Sequence, residues 1–124
     1  MNGVKVRSLN REEILPRLIA LSKKLIDSRE DVLEISLFGS LAKGNYSPGS
    51  DADLYVLLKD DSRRFTDRIP EFLDYYTIAE LPVEVFPYTV KEIEAMSDSS
   101  FIKTIQKTKL ILCARNNHSV EAER

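Results

Sequence analysis

Two short apolar segments, with about a dozen residues between them, constrain the fold of this chain most strongly. The first, DVLEISLF, ends at Phe38, and the second, DADLYVLL, begins at Asp51. Both are rich in β-branched and aromatic residues and too short for typical buried helices, so we expect two strands. The connection has room for only one helical turn, which favours an antiparallel pair over a parallel crossover.

Apolar periodicity elsewhere predicts helices and a third strand. Apolar residues recur three, four and seven positions apart over residues 10–28, where Asn10 and Glu13 match a capping box, so we expect a capped amphipathic helix. A second helix, perturbed by Pro70, is expected after the second strand, within residues 62–80. A short third strand then follows, closed by Pro87 in the manner of an edge strand.

The last third of the chain contains shorter segments. VKEIEAMSD and SSFIKTIQKTK are predicted as helical turns, with Phe101, Ile102 and Ile105 facing inward. LILCA is predicted as a final strand or a helix end. The order of elements predicts a two-layer α/β (α+β) fold, in which helices pack on a small, mixed, largely antiparallel sheet.

Length and composition exclude several classes of protein. A chain of 124 residues is expected to form one domain, residues 1–124, with a polar tail from about residue 115. A net charge of −2 disfavours nucleic acid and anionic membranes as partners. One cysteine and one histidine permit neither an internal disulfide nor a structural zinc site. With no signal peptide and no membrane-length apolar run, we expect a cytoplasmic protein.

The acidic residues that open the second strand are the first candidate site. Side chains alternate along a strand, so Asp51 and Asp53 are predicted to share one face, with Ala52 on the other. Two carboxylates this close repel each other unless a positive charge lies between them. Mg²⁺ prefers carboxylate, phosphate and water oxygens, so this pair predicts a metal site.

The residues that follow the first strand are suited to phosphate. Gly39 allows the backbone to turn sharply and approach a ligand closely. Ser40 would offer its hydroxyl and nearby backbone N–H groups at the start of a helical turn, and Lys43 would add positive charge. Together with the two aspartates, these residues indicate a nucleoside triphosphate and its metal.

A third carboxylate is expected to complete the site. Glu84 lies between two valines in PVEVF, so it should point away from the core, towards the same metal as the aspartates. Glu80 is a poorer candidate because it precedes the strand. Each of these patterns alone is more often structural, and only their combination indicates a functional site.

The combination matches a known motif. Gly39 and Ser40, then ten residues, then Asp51 and Asp53 around one alanine correspond to Gly-Ser-x10-Asp-x-Asp. The chain therefore resembles the minimal nucleotidyltransferases (MNT proteins) of the DNA polymerase beta-like nucleotidyltransferase superfamily. This resemblance implies the polymerase beta-like fold, triphosphate binding at the Gly-Ser pair, and two Mg²⁺ ions on the aspartates and Glu84, which would also be the catalytic residues.

The resemblance also implies a reaction and a partner. Members of the superfamily transfer a nucleoside monophosphate from ATP or another nucleoside triphosphate to a hydroxyl group, with release of pyrophosphate. Minimal members are commonly paired with a HEPN-family ribonuclease toxin, for which they act as antitoxins, and members of the family transfer AMP to a tyrosine of the toxin. The short chain leaves the acceptor surface to such a partner or to a second copy. The alternatives are a non-catalytic module that binds a nucleotide or partner, and an enzyme that modifies a small molecule or a nucleic-acid end.

Overall fold

The computed structural model describes residues 10–44 and 51–115, which contain five helices, one 3₁₀ turn and four strands. The predicted loop after Gly44 and the predicted polar tail beyond Arg115 lie outside these residues. In chain order the elements are α1 (Arg11–Ser28), β1 (Val32–Phe38), α2 (Ser40–Lys43), β2 (Ala52–Leu58), α3 (Phe65–Leu73), the 3₁₀ turn (Asp74–Tyr76), β3 (Val83–Thr89), α4 (Val90–Ala95), α5 (Ser100–Thr108) and β4 (Leu110–Ala114).

The four strands form one mixed sheet in the order β3-β2-β1-β4. Strand β1 is antiparallel to both β2 and β4, whereas β2 is parallel to β3. The predicted antiparallel pairing of the first two strands is therefore confirmed, as is the mixed, largely antiparallel sheet. The LILCA segment is a strand rather than a helix end.

The predicted capping box starts α1. The Asn10 side chain accepts a hydrogen bond from the backbone N–H of Glu13 at 2.9 Å, and the Glu13 carboxylate accepts one from the backbone N–H of Asn10 at 3.2 Å. These two bonds satisfy N–H groups that have no partner within the helix. Pro16 does not end the helix, which continues to Ser28.

Helices cover both faces of the sheet. One face is buried against α1 and α3 by alternating apolar side chains, namely Ile35, Leu37, Leu54 and Val56. The opposite face carries Phe38, Tyr55 and Leu57, which pack against Ile102 and Ile105 of α5. The predicted helical layer corresponds to α1 and α3, while α4 and α5 lie on the second face.

Two predicted boundaries are wrong. Strand β3 does not stop at Pro87 but continues to Thr89, because an edge strand tolerates a proline whose missing N–H is not needed for pairing. The second helix is shorter than predicted and ends at Leu73. The chain there tightens into a 3₁₀ turn that buries Tyr76, whose hydroxyl is 2.8 Å from the hydroxyl of Ser22 on α1.

A buried arginine joins α3, β3 and α4. The side chain of Arg68 is 2% exposed and donates hydrogen bonds to the carbonyl of Pro87 at 2.9 Å and to the carboxylate of Glu92 at 2.8 and 2.9 Å. Hydrogen bonding to Glu92 raises the pKa of Arg68 above its ordinary value, so the guanidinium stays charged. This network holds the far end of β3 in place.

In the part of the chain that the structure describes, no helix has the length and apolar character needed to cross a bilayer.

We predict that Arg68→Met lowers the free energy of unfolding by about 3 kcal/mol, because it leaves Glu92 and buried carbonyls without their donor. Arg64→Met is the matched control. The Arg64 side chain is 83% exposed and pairs only with Asp67 among the described residues, so its loss should cost about 0.5 kcal/mol or less. Urea unfolding of both variants measures the difference, and equal losses would contradict the role of Arg68.

Candidate active site

The end of β1 and the start of β2 bring Gly39 against Asp53. Phe38 pairs with Asp53 in the β1–β2 register, so the next residue turns directly over the aspartate. Gly39 has φ 82° and ψ −157°, a conformation that is essentially restricted to glycine. A Cβ atom at this position would lie 2.6 Å from Oδ2 of Asp53. Glycine is therefore required both by the backbone conformation and by the carboxylate.

The parallel pairing of β2 with β3 places Glu84 beside Asp53. These two residues are direct partners in the register, and paired residues of neighbouring strands point to the same face. Ala52 and Val85 are buried on the other face, at 0% and 3% exposure. The structure thus brings together the second aspartate and the third acidic residue predicted from the sequence.

Negative charge is concentrated at this end of the sheet. The pKa of Asp53 is raised to about 6, first by burial and then by the charges of Glu84 and Asp51. Asp51 is half-buried immediately before β2. The three predicted carboxylates are therefore close enough for the charges of Asp51 and Glu84 to affect Asp53. Ionised Asp53 is therefore electrostatically unfavourable here, and a bound cation would relieve the repulsion.

The three carboxylates suit a hard divalent cation that also takes ligands from water and substrate. Among residues 10–44 and 51–115, no group of three or more acidic, histidine or cysteine side chains is arranged closely enough to enclose a metal ion. Mg²⁺ commonly uses one or two carboxylates and takes its remaining ligands from water and substrate phosphates. Asp51, Asp53 and Glu84 suit such a partial ligand set.

Helix α2 carries the predicted phosphate-binding residues. It is one turn long, as predicted, begins at Ser40 and ends where Gly44 adopts a left-handed conformation with φ 85°. Leu41 is 1% exposed and anchors the turn in the core. Ser40 is half-buried next to Gly39, whereas Lys43 is exposed at the other end, and within the described residues no contact joins it to the carboxylates.

An arginine that the sequence interpretation missed supports this turn. Arg11 at the start of α1 donates hydrogen bonds to the carbonyls of Leu41 at 2.9 Å and Ala42 at 3.2 Å. The last carbonyls of a helix have no partners within it, so the guanidinium caps α2 from outside. The available signal was its position, because a cation in the first turn of a helix is disfavoured by the helix dipole.

The sequence interpretation also missed an aromatic wall beside the carboxylates. Phe38 packs edge-on against Phe86 and Phe101, with ring centroids 5.2 and 5.8 Å apart. Phe38 is opposite Asp53, and Phe86 follows Glu84 by two residues on the same face. Phe101 faces the sheet through these ring contacts, but it remains 43% exposed at the start of α5, whereas Ile102 and Ile105 are buried as predicted. This wall supplies apolar surroundings of the kind that raise the pKa of Asp53.

Comparison with known families decides the identity of the chain. Residues 19–112 match the model of the nucleotidyltransferase domain family. The chain belongs to this family and is a nucleotidyltransferase. The family resemblance inferred from the Gly-Ser and Asp-x-Asp motif is thereby confirmed.

Solved structures show the same fold. This nucleotidyltransferase superimposes on a candidate nucleotidyltransferase from Sulfolobus solfataricus with a TM-score of 0.64 and 20% identity, covering 86% of this chain and 85% of the other. It also superimposes on a chain of a toxin–antitoxin structure with AMP-PNP, with a TM-score of 0.57 and 19% identity, covering 84% and 76%. No curated protein matches the sequence.

We predict that Gly39→Ala destabilises the nucleotidyltransferase far more than Gly44→Ala. Both glycines have positive φ, but a Cβ at Gly44 meets nothing within 4 Å, so this control should cost only about 1 kcal/mol. At Gly39 the conformation is less accessible to alanine and the new methyl group meets the Asp53 carboxylate, so the cost should be about 3 kcal/mol. Thermal unfolding gives both values.

The Asp53→Ala background separates the two contributions at Gly39. Removing the carboxylate removes the contact but not the backbone strain, so part of the cost of Gly39→Ala should be recovered there. An unchanged cost would show that Gly39 is required by its backbone conformation alone.

Proposed function

We propose that this nucleotidyltransferase transfers a nucleoside monophosphate, namely AMP from ATP, to a hydroxyl group on a protein partner. The observation that carries the proposal is the direct pairing of Asp53 with Glu84, with Gly39 against the same aspartate. The toxin–antitoxin structure that shares the fold contains AMP-PNP, which supports an adenine nucleotide and a toxin partner.

In this proposal the carboxylates bind the metal ions, and the turn into α2 binds the triphosphate. Asp51, Asp53 and Glu84 would hold two Mg²⁺ ions, which supply neutralisation of the negative charge that develops on the phosphates. Gly39 and Ser40 would bind the triphosphate through the turn that leaves β1. The close approach of Gly39 to Asp53 then keeps the phosphates next to the carboxylates.

The chemistry is an in-line substitution at the α-phosphorus. The acceptor oxygen forms a new bond to this phosphorus, the bond between the α-phosphorus and the oxygen bridging to the β-phosphorus breaks, and pyrophosphate leaves. Glu84 accepts the proton of the attacking hydroxyl, since it is the most exposed of the three carboxylates and lies on edge strand β3. Lys43 would contribute positive charge for the departing pyrophosphate.

We further propose that the partner is a HEPN-family toxin and that this chain acts as its antitoxin. The shared fold with one chain of a toxin–antitoxin structure supports this assignment. Transfer to a toxin hydroxyl would add a negatively charged nucleotide to the surface of the toxin. If the toxin is a ribonuclease, this negative charge would repel its RNA substrate. The reaction is expected in the cytoplasm.

The direct experiment is incubation with α-labelled ATP and Mg²⁺, with and without the product of the neighbouring reading frame. We predict that label appears on the partner. Asp53→Asn and Glu84→Gln should lower the transfer rate by at least about 100-fold, because each removes a charge that the transition state needs. Asp60→Asn is the matched control, since this exposed residue follows the far end of β2 and should leave the rate unchanged.

Each other outcome points to a different function. A stable complex that carries no label would indicate a binding module without turnover. Label on an added RNA or small molecule, and on neither protein, would indicate a different acceptor class. Full transfer by Asp53→Asn would contradict the proposed site itself.

A further inference from the structure

An apolar groove lies between α4 and α5, on the same face of the sheet as Asp53 and Glu84. One end has a volume of about 360 Å³ and is lined by Ile93, Ser97, Ile102, Lys103, Gln106 and Lys107. The wider end, about 650 Å³, shares Ile93 and Gln106 and reaches Tyr55 and Leu57 on the sheet. The two ends share lining residues, and their volumes exceed the space that a single side chain needs.

The helices beside the groove leave apolar surface uncovered. None of the six residues of α4 is fully buried, although Val90 and Ile93 point towards the sheet. Ile111 at the wider end is 49% exposed, and Phe101 at the start of α5 is 43% exposed. Exposed apolar side chains that line a groove, as Ile111 does, are typical of interaction sites in folded proteins.

Positive charge is concentrated on one wall of the groove. Residues 99–115 contain four basic residues and no acidic one, in a chain whose net charge is −2. Two of the four have internal partners, because Lys109 pairs with a buried glutamate at 2.6 Å and Arg115 donates to backbone carbonyls. Within the described residues, Lys103 and Lys107 form no ion pair, and they are one helical turn apart on α5.

We propose that this groove is the docking site for an acidic amphipathic helix of the protein partner. The apolar side of that helix would cover Ile93 and Ile111, and carboxylates one turn apart would face Lys103 and Lys107. The inference rests on the proposed function, since it names where the acceptor protein binds. Glu94 lines the wider end, so the acidic end of the partner helix would lie over the two lysines.

The composition of the groove favours a protein over a nucleic acid. Nucleic-acid sites carry several phosphate-binding cations and exposed aromatic rings on which bases stack. Lys103 and Lys107, which have no ion-pair partner in residues 10–44 and 51–115, lie beside aliphatic side chains here, and the ring of Tyr55 is buried. An amphipathic helix matches both features, because it combines an apolar side with flanking charges.

The position of the groove suits delivery of an acceptor to the active site. Phe101 begins α5 beside the carboxylates, and Lys107 is six residues further along the same helix. At 1.5 Å per residue this separation is about 9 Å, so a partner docked on α5 would lie within reach of the transfer site.

Binding of the neighbouring-frame product to the full chain tests the proposal. The double variant K103E/K107E should weaken binding at least about tenfold by reversing the charge on one wall. Its affinity for Mg²⁺–AMP-PNP should not change. The matched control is K23E/K24E, which reverses two exposed lysines on α1, against the opposite face of the sheet, and should leave partner binding within about twofold.

A pair of synthetic amphipathic peptides tests the groove without the natural partner. Both have the same apolar positions, one with glutamates and the other with lysines at the polar positions. The acidic peptide should bind the wild-type chain at least about tenfold more tightly, and K103E/K107E should abolish this preference. No preference in the wild type, or the same preference in K103E/K107E, would overturn the docking site.

The two proposals fail in different ways. If the chain transfers nucleotide, and K103E/K107E leaves partner binding unchanged, the docking site is overturned and the proposed function is kept. If the acidic peptide binds in a way that depends on the two lysines, but the chain transfers no nucleotide, the docking site is kept and the proposed function is overturned. Binding of a single-stranded RNA that is lost in K103E/K107E, without peptide binding, would replace the protein partner by a nucleic acid.

Discussion

The register between β2 and β3 is the constraint on which the site depends. It pairs Asp53 with Glu84 across neighbouring parallel strands, and the antiparallel pairing of β2 with β1 brings Gly39 to the other side of the same aspartate. A shift by one residue would turn Asp53 into the core, because side chains alternate between the faces. The pairing of the strands therefore positions the carboxylates and Gly39 before any ligand binds.

The clustered carboxylates destabilise the fold locally, so the fold depends on stabilising interactions in other parts of the molecule. The pKa of Asp53 is raised to about 6 in the folded chain, so its ionisation at neutral pH lowers the free energy of unfolding. The apolar clusters on both faces of the sheet stabilise the fold at a distance from the carboxylates, as does the ion pair between buried Arg68 and half-exposed Glu92. A site of this kind gains stability when a cation binds, which links folding to function.

Local rules predicted most elements of the fold, whereas long-range contacts escaped them. The Asn10 capping box, the single turn of α2 and the face of Glu84 each follow from residues a few positions apart. The contact between Arg11 and α2 spans 30 residues, so the unfavourable position of Arg11 in the first turn of α1 could flag the residue but not its partner. Pro87 correctly indicated an edge strand, but a proline at the sheet edge does not end its strand, which continues to Thr89.

We expect Asp51, Asp53 and Glu84 to bind cations together, next to the turn formed by Gly39 and Ser40. A crystal structure with Mn²⁺ and a non-hydrolysable ATP analogue, recorded at a wavelength that gives anomalous signal from manganese, tests it directly. We expect anomalous peaks in contact with carboxylate oxygens of Asp51, Asp53 and Glu84, at distances close to the roughly 2.1 Å typical of Mg²⁺. Manganese bound elsewhere, with no peak at Asp53, would contradict the account.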